Sequence, residues 1–156
     1  MLPATASRVE NATSEDLNRH FAAEIEESLR HHAEHPERID RRLDELDHEW
    51  DIERTLEANA ATLALTGTLL GAFVDRRFLV LPAVVTGFLL QHALQGWCPP
   101  VPVFRRLGIR TAAEIDRERA ALKALRGDFG RLNAFPAGAD ATPRQRARAA
   151  LEAAEA

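Results

Sequence analysis

Two runs of the chain contain no ionised side chain, and they lie close together near its middle. Residues 58–74 and residues 78–96 are uncharged, whereas the sequence on both sides mixes apolar and charged positions. A helix over residues 58–74 would be about 26 Å long, a little short of the ~30 Å core of a bilayer. The polar sequence Asp75-Arg76-Arg77 between the runs predicts a tight turn. We therefore predict an antiparallel transmembrane hairpin over residues 58–95.

The sequence before the hairpin has the periodicity of amphipathic helices. One set of apolar residues recurs every four positions: Leu17, Phe21, Ile25 and Leu29. We predict that Thr13 caps this helix, with Asp16 completing a capping box, and that Pro36 ends it. A second apolar set recurs in steps of four, three and four: Ile39, Leu43, Leu46 and Trp50. This second set predicts a narrow packing seam on a helix that runs without a break into the hairpin.

The sequence after the hairpin predicts an extended segment and then one more helix. Three prolines between residues 99 and 104 predict a non-helical path. Thr111 and Glu114 form a capping-box pattern, so we predict a helix that begins there and ends near Gly127. We expect this helix to lie along the membrane surface. The sequence beyond Phe129 is rich in Ala and Arg and predicts a mobile tail.

The predicted fold class is all-α. It combines an N-terminal amphipathic helix pair, a two-helix transmembrane hairpin and a C-terminal interfacial helix. The corresponding domains are a flexible N-terminus (1–12), a cytoplasmic helical region (13–57), the hairpin (58–95), a Cys-Pro turn with the interfacial helix (96–129) and the mobile tail (130–156). The alternative is a soluble regulatory bundle with the two apolar helices at its centre, which Gln91 and His92 in the second run would favour.

Composition and charge narrow the classes of function and suggest an orientation. The chain has 156 residues, one cysteine and a net charge of −4. One cysteine excludes an internal disulfide framework, and mild acidity argues against a nucleic-acid partner. Arginines near the hairpin lie mostly on the side of the two termini: Arg41, Arg42, Arg54, Arg105, Arg106 and Arg110, against Arg76 and Arg77 in the turn. Because the chain also opens without a secretory signal, we expect a bacterial inner-membrane protein with both termini cytoplasmic.

Small residues lie along one face of the first predicted hairpin helix. They are Ala60, Ala64, Gly67 and Gly71, and the last two form a Gly-x-x-x-Gly pattern. In lipid, such a face lets two helix backbones approach closely. The pattern is equally compatible with self-association of two chains and with packing inside one hairpin. Together with the Ile39–Trp50 seam, it leads us to expect a homo-oligomer.

Two further groups of residues could carry chemistry. His31 and His35 are four residues apart, so both could ligate one metal ion from the same helix face. The alternative is that they form an ordinary polar helix end exposed to solvent. Cys98 is the only thiol. It could act in redox, persulfide or haem chemistry, or it could be structural. A helix C-terminus does not activate a thiol, so we expect neither a cofactor nor an enzymatic activity.

The hairpin together with two short motifs resembles the YgaP-like inner-membrane domain family. The motifs are Gly96-x-Cys98-Pro99 and Leu107-Gly108-x-x-Thr111, and the similarity covers residues 56–111. The resemblance implies a two-helix membrane hairpin without an established activity, often joined to a rhodanese sulfurtransferase domain. The chain departs from the family pattern at residues 100–102, where it has Pro-Val-Pro.

These observations favour a small structural or interaction protein of the inner membrane. We expect its partners to be the lipid bilayer and a second copy of the chain, and a cytoplasmic protein is a further candidate partner. The alternative function is that of a sulfur carrier or redox sensor that acts through Cys98 with a rhodanese-type partner.

Overall fold

The computed structural model describes Ala4 and residues 7–129, and this part of the chain contains helices and no strand. The predicted tail and most of the predicted flexible N-terminus lie outside the described residues. The α-helices are α1 (Arg8–Asn11), α2 (Glu15–Glu34), α3 (Ile39–His48), α4 (Ile52–Phe73), α5 (Val80–Gln95), α6 (Val101–Arg106) and α7 (Ala112–Arg126). Short 3₁₀ helices at Pro36–Arg38 and Arg76–Leu79 precede α3 and α5. The all-α prediction is therefore confirmed.

The N-terminal cap of α2 differs from the prediction. Ser14, and not Thr13, occupies the cap position, and no side chain there accepts a hydrogen bond from the helix backbone. The Thr13 hydroxyl instead donates to the carbonyl oxygen of Val9, at 2.8 Å. The preceding helix α1 supplies that acceptor, and α1 has too few residues to show any periodicity in the sequence. The other end of α2 lies at Glu34, two residues before Pro36, as the proline predicts.

The predicted apolar seam is buried over most of its length, but its helix does not continue into the hairpin. Ile39, Leu43 and Leu46 of α3 are buried, whereas Trp50 is half exposed. The helix ends at His48 because Glu49 adopts an extended backbone. Asp51 then starts α4 by accepting a 2.7 Å hydrogen bond from the Arg54 amide. The side chain of Asp51 stabilises a new helix start that the unbroken apolar pattern did not indicate.

Helices α4 and α5 form the hairpin, with the 3₁₀ helix at the turn. Asp75 caps this turn by accepting a 2.8 Å hydrogen bond from the Arg77 amide. Pro82 lies at the start of α5, where the missing amide donor leaves no helical hydrogen bond unmade. The predicted antiparallel helical hairpin is present.

The segment after the hairpin corrects one prediction. We expected residues 99–104 to be extended, but Val101–Arg106 is helix α6. Pro100 is its N-cap and Pro102 lies in its first turn. A proline fits these positions because its fixed φ is helical and the first helical amides have no acceptor in the helix anyway. Closely spaced prolines therefore start a helix here and do not prevent one.

The other helices pack into a unit that we call the head, formed by α1, α2, α3, α6 and α7. Helix α7 begins with the predicted capping box of Thr111 and Glu114. Its apolar side chains Ile115 and Leu122 pack on α3, while Leu125 is half exposed. The side of α7 that carries Ile115 and Leu122 is therefore covered by α3, and the placement of α7 along a membrane surface stays a prediction. A second apolar cluster joins the head to the hairpin: Val9, Ile52, Leu56, Cys98 and Val101.

Candidate functional site

The hairpin exposes most of its apolar surface. Among residues 58–95, three are buried: Gly67, Gly71 and His92. Large side chains are open to the outside along both helices, including Leu65 at 61%, Phe73 at 83% and Leu90 at 62%. The described residues of the head therefore do not enclose the two apolar helices, as the soluble-bundle alternative requires. A contiguous apolar surface of this kind is typical of a membrane or protein interaction site.

The two helices of the hairpin differ in their suitability for crossing a bilayer. Within the described residues, one helical segment is long and apolar enough to cross a membrane by length and composition. It is Arg76–Gln95, and 6% of its most apolar stretch is buried. Helix α4 does not meet this standard. Its first two turns contain Glu53, Arg54 and Glu57, and Asn59 follows them. The transmembrane hairpin therefore stays a prediction.

The threonine hydroxyls of the hairpin all form hydrogen bonds within their own helix. Each hydroxyl donates to the carbonyl oxygen four residues earlier, at 2.7–2.8 Å: Thr62, Thr66, Thr68 and Thr86. Such back-bonding satisfies the hydroxyl donor inside its own helix. These threonines consequently leave no unpaired donor on the surface, although a composition scale counts them as polar.

The predicted small-residue face lies partly inside the hairpin. A Cβ atom on Gly67 would come within 2.6 Å of Pro82 Cδ, and one on Gly71 would lie 2.5 Å from Leu79 Cδ2. These two glycines thus allow α4 and the start of α5 to touch. Ala60 and Ala64, farther from the turn, are half-buried. Of the two interpretations left open by the sequence, the glycine contacts correspond to packing within one hairpin.

The base of the hairpin is tied to the head at two points. Gly96 ends α5 with a φ of +76°, and a Cβ there would overlap the main chain of Arg8. The amide of Ile52, at the start of α4, donates to the carbonyl oxygen of Arg110 at 2.9 Å. The side chain of His92, one turn before Gly96, is 4% exposed. This histidine is therefore enclosed by protein and adds no polar group to the outer surface of the hairpin.

The head contains a buried ion pair that the sequence did not reveal. The Arg105 guanidinium donates two 2.7 Å hydrogen bonds to the two carboxylate oxygens of Glu114. It also stacks on Phe21, with 4.0 Å between the guanidinium carbon and the ring centroid. Burial alone would raise the pKa of Glu114, but hydrogen bonds from Arg105 and Thr111 lower it below its ordinary value. The pair joins α6 to the first turn of α7.

A second buried carboxylate, Glu118 of α7, binds side chains from α2, from α3 and from the segment between α6 and α7. It accepts hydrogen bonds from Arg42 Nε at 2.9 Å, from Ser28 Oγ at 2.5 Å and from Arg110. Burial opposes ionisation of Glu118, yet these donors outweigh it and lower its pKa to about 2. Arg110 also donates a hydrogen bond from its Nε to Glu49 Oε1, at 2.7 Å. An open cleft of about 520 Å³ lies beside this network.

One sequence signal could have indicated this network. Glu114 and Glu118 are one helical turn apart and flank Ile115 on the face of α7 that carries the apolar residues. A carboxylate within an apolar stripe needs a cationic partner, since a buried unpaired charge is strongly unfavourable. The identities of the partners depend on tertiary contacts and could not be predicted.

Cys98 is buried and lines a small apolar pocket between α4 and α5. Its residue exposure is 5%, and the pocket has a volume of about 180 Å³. None of the described residues that line this pocket is basic: Leu56, Asn59, Ala60, Leu63, Val85, Phe88, Leu89, Pro99 and Pro100. Burial raises the pKa of the Cys98 thiol above its ordinary value. These surroundings favour the protonated thiol and give no support to the sulfur-carrier or redox hypothesis.

The two histidines considered as metal ligands lie at the end of α2. The ring centroids of His31 and His35 are 4.8 Å apart. Within the part of the chain that the structure describes, no three histidine, cysteine, aspartate or glutamate side chains form a group that could hold a metal ion. His31 contacts Arg38 and His35 contacts Glu37, which corresponds to a solvated helix end.

The residues of the family motif have distinct structural positions. Gly96 and Gly108 have positive φ angles of +76° and +86°, so both end a helix in a conformation that favours glycine. Thr111 caps α7, and Pro99 precedes α6. Leu107 is 71% exposed. The two motifs thus border α6 on either side and shape the connection between the hairpin and α7.

Comparisons with known proteins give no match: no protein-family model, no curated protein and no solved structure is similar to this chain. The resemblance to the YgaP-like family stays a prediction that depends on the two short motifs. The functional conclusions below therefore depend on the geometry of the hairpin and the head.

Proposed function

We propose that this chain is a small structural or interaction protein of the bacterial inner membrane. Its hairpin inserts into the bilayer, and the head and both termini lie in the cytoplasm. The observation that carries the proposal is the exposure of large apolar side chains along both hairpin helices, which the head does not cover. Lipid removes such an apolar surface from water without requiring a further protein.

The dimensions of the hairpin support insertion. Residues 78–95, which follow the two arginines of the turn, are about 27 Å long at 1.5 Å per residue, close to the ~30 Å bilayer core. Helix α4 has a shorter apolar part, but its threonine hydroxyls are satisfied by its own carbonyls. The charged residues of α4 are confined to its first two turns, at Glu53, Arg54 and Glu57. Those turns lie at the head, outside the proposed span.

The charges at the two ends of the hairpin support the orientation. The turn has two arginines and Asp75, whereas the head side has six arginines near the hairpin ends. A cytoplasmic head follows from the preference of arginine-rich flanks for that side. Arg42, Arg105 and Arg110 are held in ion pairs within the head. The exposed arginines on the head side are Arg41, Arg54 and Arg106.

Extraction of membranes tests insertion. We expect the full chain to remain in the membrane pellet after washing with alkaline carbonate and to dissolve only in detergent. Recovery in the supernatant without detergent would contradict the proposal. A variant with Leu65→Asp and Leu90→Asp places charges on two exposed apolar positions and should shift the chain toward the supernatant, whereas Glu26→Gln, on the exposed surface of α2, should not.

Self-association is the second part of the proposal. Gly67 already packs on Pro82 of the chain's own α5 and Gly71 on Leu79 just before α5, so a second copy would have to use another face. Leu65 and Leu69 lie on the opposite side of α4 and are 61% and 48% exposed. In a Cys98→Ser background, Leu65→Cys should form a disulfide-linked dimer in native membranes, and Leu125→Cys should not. Self-association would be contradicted if three separate experiments all gave monomer alone: disulfide formation with Leu65→Cys, disulfide formation with Leu69→Cys, and treatment with a lysine- or carboxyl-reactive cross-linker.

A further inference from the structure

Exposed aromatic and aliphatic side chains surround the junction of the head and the hairpin. Trp50 precedes α4 and is 49% exposed, and Trp97 follows α5 and is 39% exposed. Val103 and Leu107 of the neighbouring α6 are 54% and 71% exposed. These four residues, which we call the junction belt, come from the segments that enter and leave the hairpin.

Helix α6 has an inner and an outer side. Val101 and Arg105 face the head and are almost completely buried, at 0% and 1% exposure. Val103, Leu107 and the cationic Arg106 are exposed. The short helix therefore directs two aliphatic side chains outward next to the exposed guanidinium of Arg106, a pattern found in helices that lie in a membrane interface.

The position of α6 is fixed at the base of the hairpin. Pro99 and Pro100, which start α6, line the same pocket as Leu56 of α4 and Phe88 of α5. Val101 belongs to the apolar cluster that joins the head to α4. The outer side of α6 is consequently at the depth where a membrane-inserted hairpin would leave the hydrocarbon core.

A second cationic group, that of Arg54, lies next to Trp50. Arg54 is exposed, and its guanidinium carbon lies 4.3 Å from the centroid of the Trp50 ring. Tryptophan prefers the layer of lipid headgroups, and arginine near it can bind lipid phosphate. One side of the junction thus presents the Trp50 ring with the Arg54 guanidinium, and the other presents the exposed Trp97 and the exposed Arg106.

We infer that the junction belt, with Arg54 and Arg106, binds the headgroup layer of anionic phospholipid and fixes the depth of the hairpin. This inference rests on the proposed membrane insertion. Val103 and Leu107 reach the upper part of the acyl chains, while the two guanidinium groups bind phosphate. A lipid layer fits better than a second protein helix because α6 has only six residues, too few for an extended helix–helix contact.

Fluorescence at two matched positions tests the inference. In a Trp50→Phe and Trp97→Phe background, a single tryptophan is placed by Leu107→Trp or, as a control, by Leu125→Trp at the far end of α7. Both leucines are exposed, at 71% and 48%. Each protein is reconstituted into vesicles of phosphatidylethanolamine and phosphatidylglycerol, with lipid brominated near the headgroup end of the acyl chain as the quencher.

We expect blue-shifted and strongly quenched emission for Leu107→Trp and water-like, unquenched emission for Leu125→Trp. If both emissions are water-like while the protein remains in the vesicles, the inference is overturned and membrane insertion is retained. If the protein does not stay with the vesicles at all, the proposed function fails as well.

The electrostatic part has its own test. Adding Arg106→Glu to the Leu107→Trp protein should reduce quenching in vesicles that contain phosphatidylglycerol and change it little in zwitterionic vesicles. Equal quenching of the two proteins in phosphatidylglycerol vesicles would overturn the assignment of Arg106 to lipid phosphate.

Discussion

Gly96 packs directly against the main chain of Arg8, 88 residues earlier in the sequence. A Cβ atom on Gly96 would overlap the Arg8 carbonyl oxygen and lie 2.8 Å from the Arg8 Cβ. The same glycine has a φ of +76° and ends α5. One position therefore satisfies two requirements, a left-handed helix end and contact between the hairpin base and α1.

Replacing Gly96 should weaken the junction more than replacing other glycines. Gly96→Ala introduces both an unfavourable φ and an overlap with Arg8. Gly108→Ala introduces an unfavourable φ of +86° in open space, so it should lower the free energy of unfolding by about 1–2 kcal/mol. Thermal unfolding followed by circular dichroism in detergent should show a larger loss for Gly96→Ala than for Gly108→Ala.

Gly87 supplies the control for this series. It lies within α5, and a Cβ there would meet nothing within 4 Å. Gly87→Ala should leave stability unchanged or raise it by up to ~1 kcal/mol through higher helix propensity. Equal melting temperatures for the Gly96→Ala and Gly87→Ala proteins would show that the contact with Arg8 is unimportant.

Gly67→Ala should destabilise the hairpin and leave self-association in place. The added methyl group would lie 2.6 Å from the rigid ring of Pro82, and such overpacking costs about 1–3 kcal/mol. Gly71→Ala should also destabilise the hairpin, because the added Cβ would lie 2.5 Å from Leu79 Cδ2, 2.7 Å from its Cγ and 3.2 Å from its main-chain nitrogen. Melting temperatures and dimer yields, measured on the same samples, distinguish the two roles of this face. Loss of the dimer with unchanged melting would instead place the glycines between two copies.

Glu118→Gln should strongly destabilise the head. The change removes the carboxylate that Arg42 and Arg110 share, although Arg42 keeps its pair with Glu45 and Arg110 keeps its pair with Glu49. Loss of hydrogen bonds between charged groups in a largely buried site costs about 1.5–3 kcal/mol. Glu26→Gln on the exposed surface of α2 is the matched control and should change stability by less than ~0.5 kcal/mol. A melting temperature of Glu118→Gln within error of the control would contradict the structural role of the network.

The same carboxylate predicts a dependence of stability on pH. Because folding lowers the pKa of Glu118 from 4.5 to about 2, its ionised form stabilises the head fully above pH 4.5. That contribution is lost as the pH falls from 4.5 toward 2. The melting temperature of the wild-type protein should decrease over this interval, and the decrease should be smaller in Glu118→Gln. Parallel pH profiles for the two proteins would argue against the lowered pKa.

Cys98 should react slowly with thiol reagents in the folded protein. Its burial limits access, and its raised pKa reduces the fraction of reactive thiolate. In detergent at neutral pH, maleimide labelling of Cys98 should be much slower than labelling of Leu125→Cys in a Cys98→Ser background. Unfolding should remove the difference. Equally fast labelling of folded Cys98 would revive the hypothesis of a reactive thiol.

Local periodicity predicted the helical elements well where one apolar face is buried. Ile39, Leu43 and Leu46 lie on such a face and are buried as expected. The same pattern could not indicate the break at Glu49, because Asp51 caps a new helix without interrupting the apolar spacing. The prolines after Cys98 were misleading for a different reason: a proline is unfavourable inside a helix but favourable in its first turn.

The contacts between distant segments could not be predicted from the sequence. Arg105 and Arg110 contributed to the charge count of the hairpin flanks, yet both are buried in ion pairs with Glu114 and Glu118. Their partners depend on the tertiary arrangement of α6 and α7. The packing of the apolar side of α7 on α3 likewise depends on the tertiary arrangement and could not be predicted from a pattern within α7.

The central claim is that the hairpin crosses a membrane, and the accessibility of its two ends tests it most directly. In a Cys98→Ser background, Arg77→Cys marks the turn, where the native side chain is 94% exposed, and Leu125→Cys marks the head. A membrane-impermeant maleimide is applied to intact spheroplasts and to inverted membrane vesicles. We expect the turn to be labelled only in spheroplasts and the head only in inverted vesicles. Labelling of both positions from the same side would contradict a hairpin that spans the bilayer.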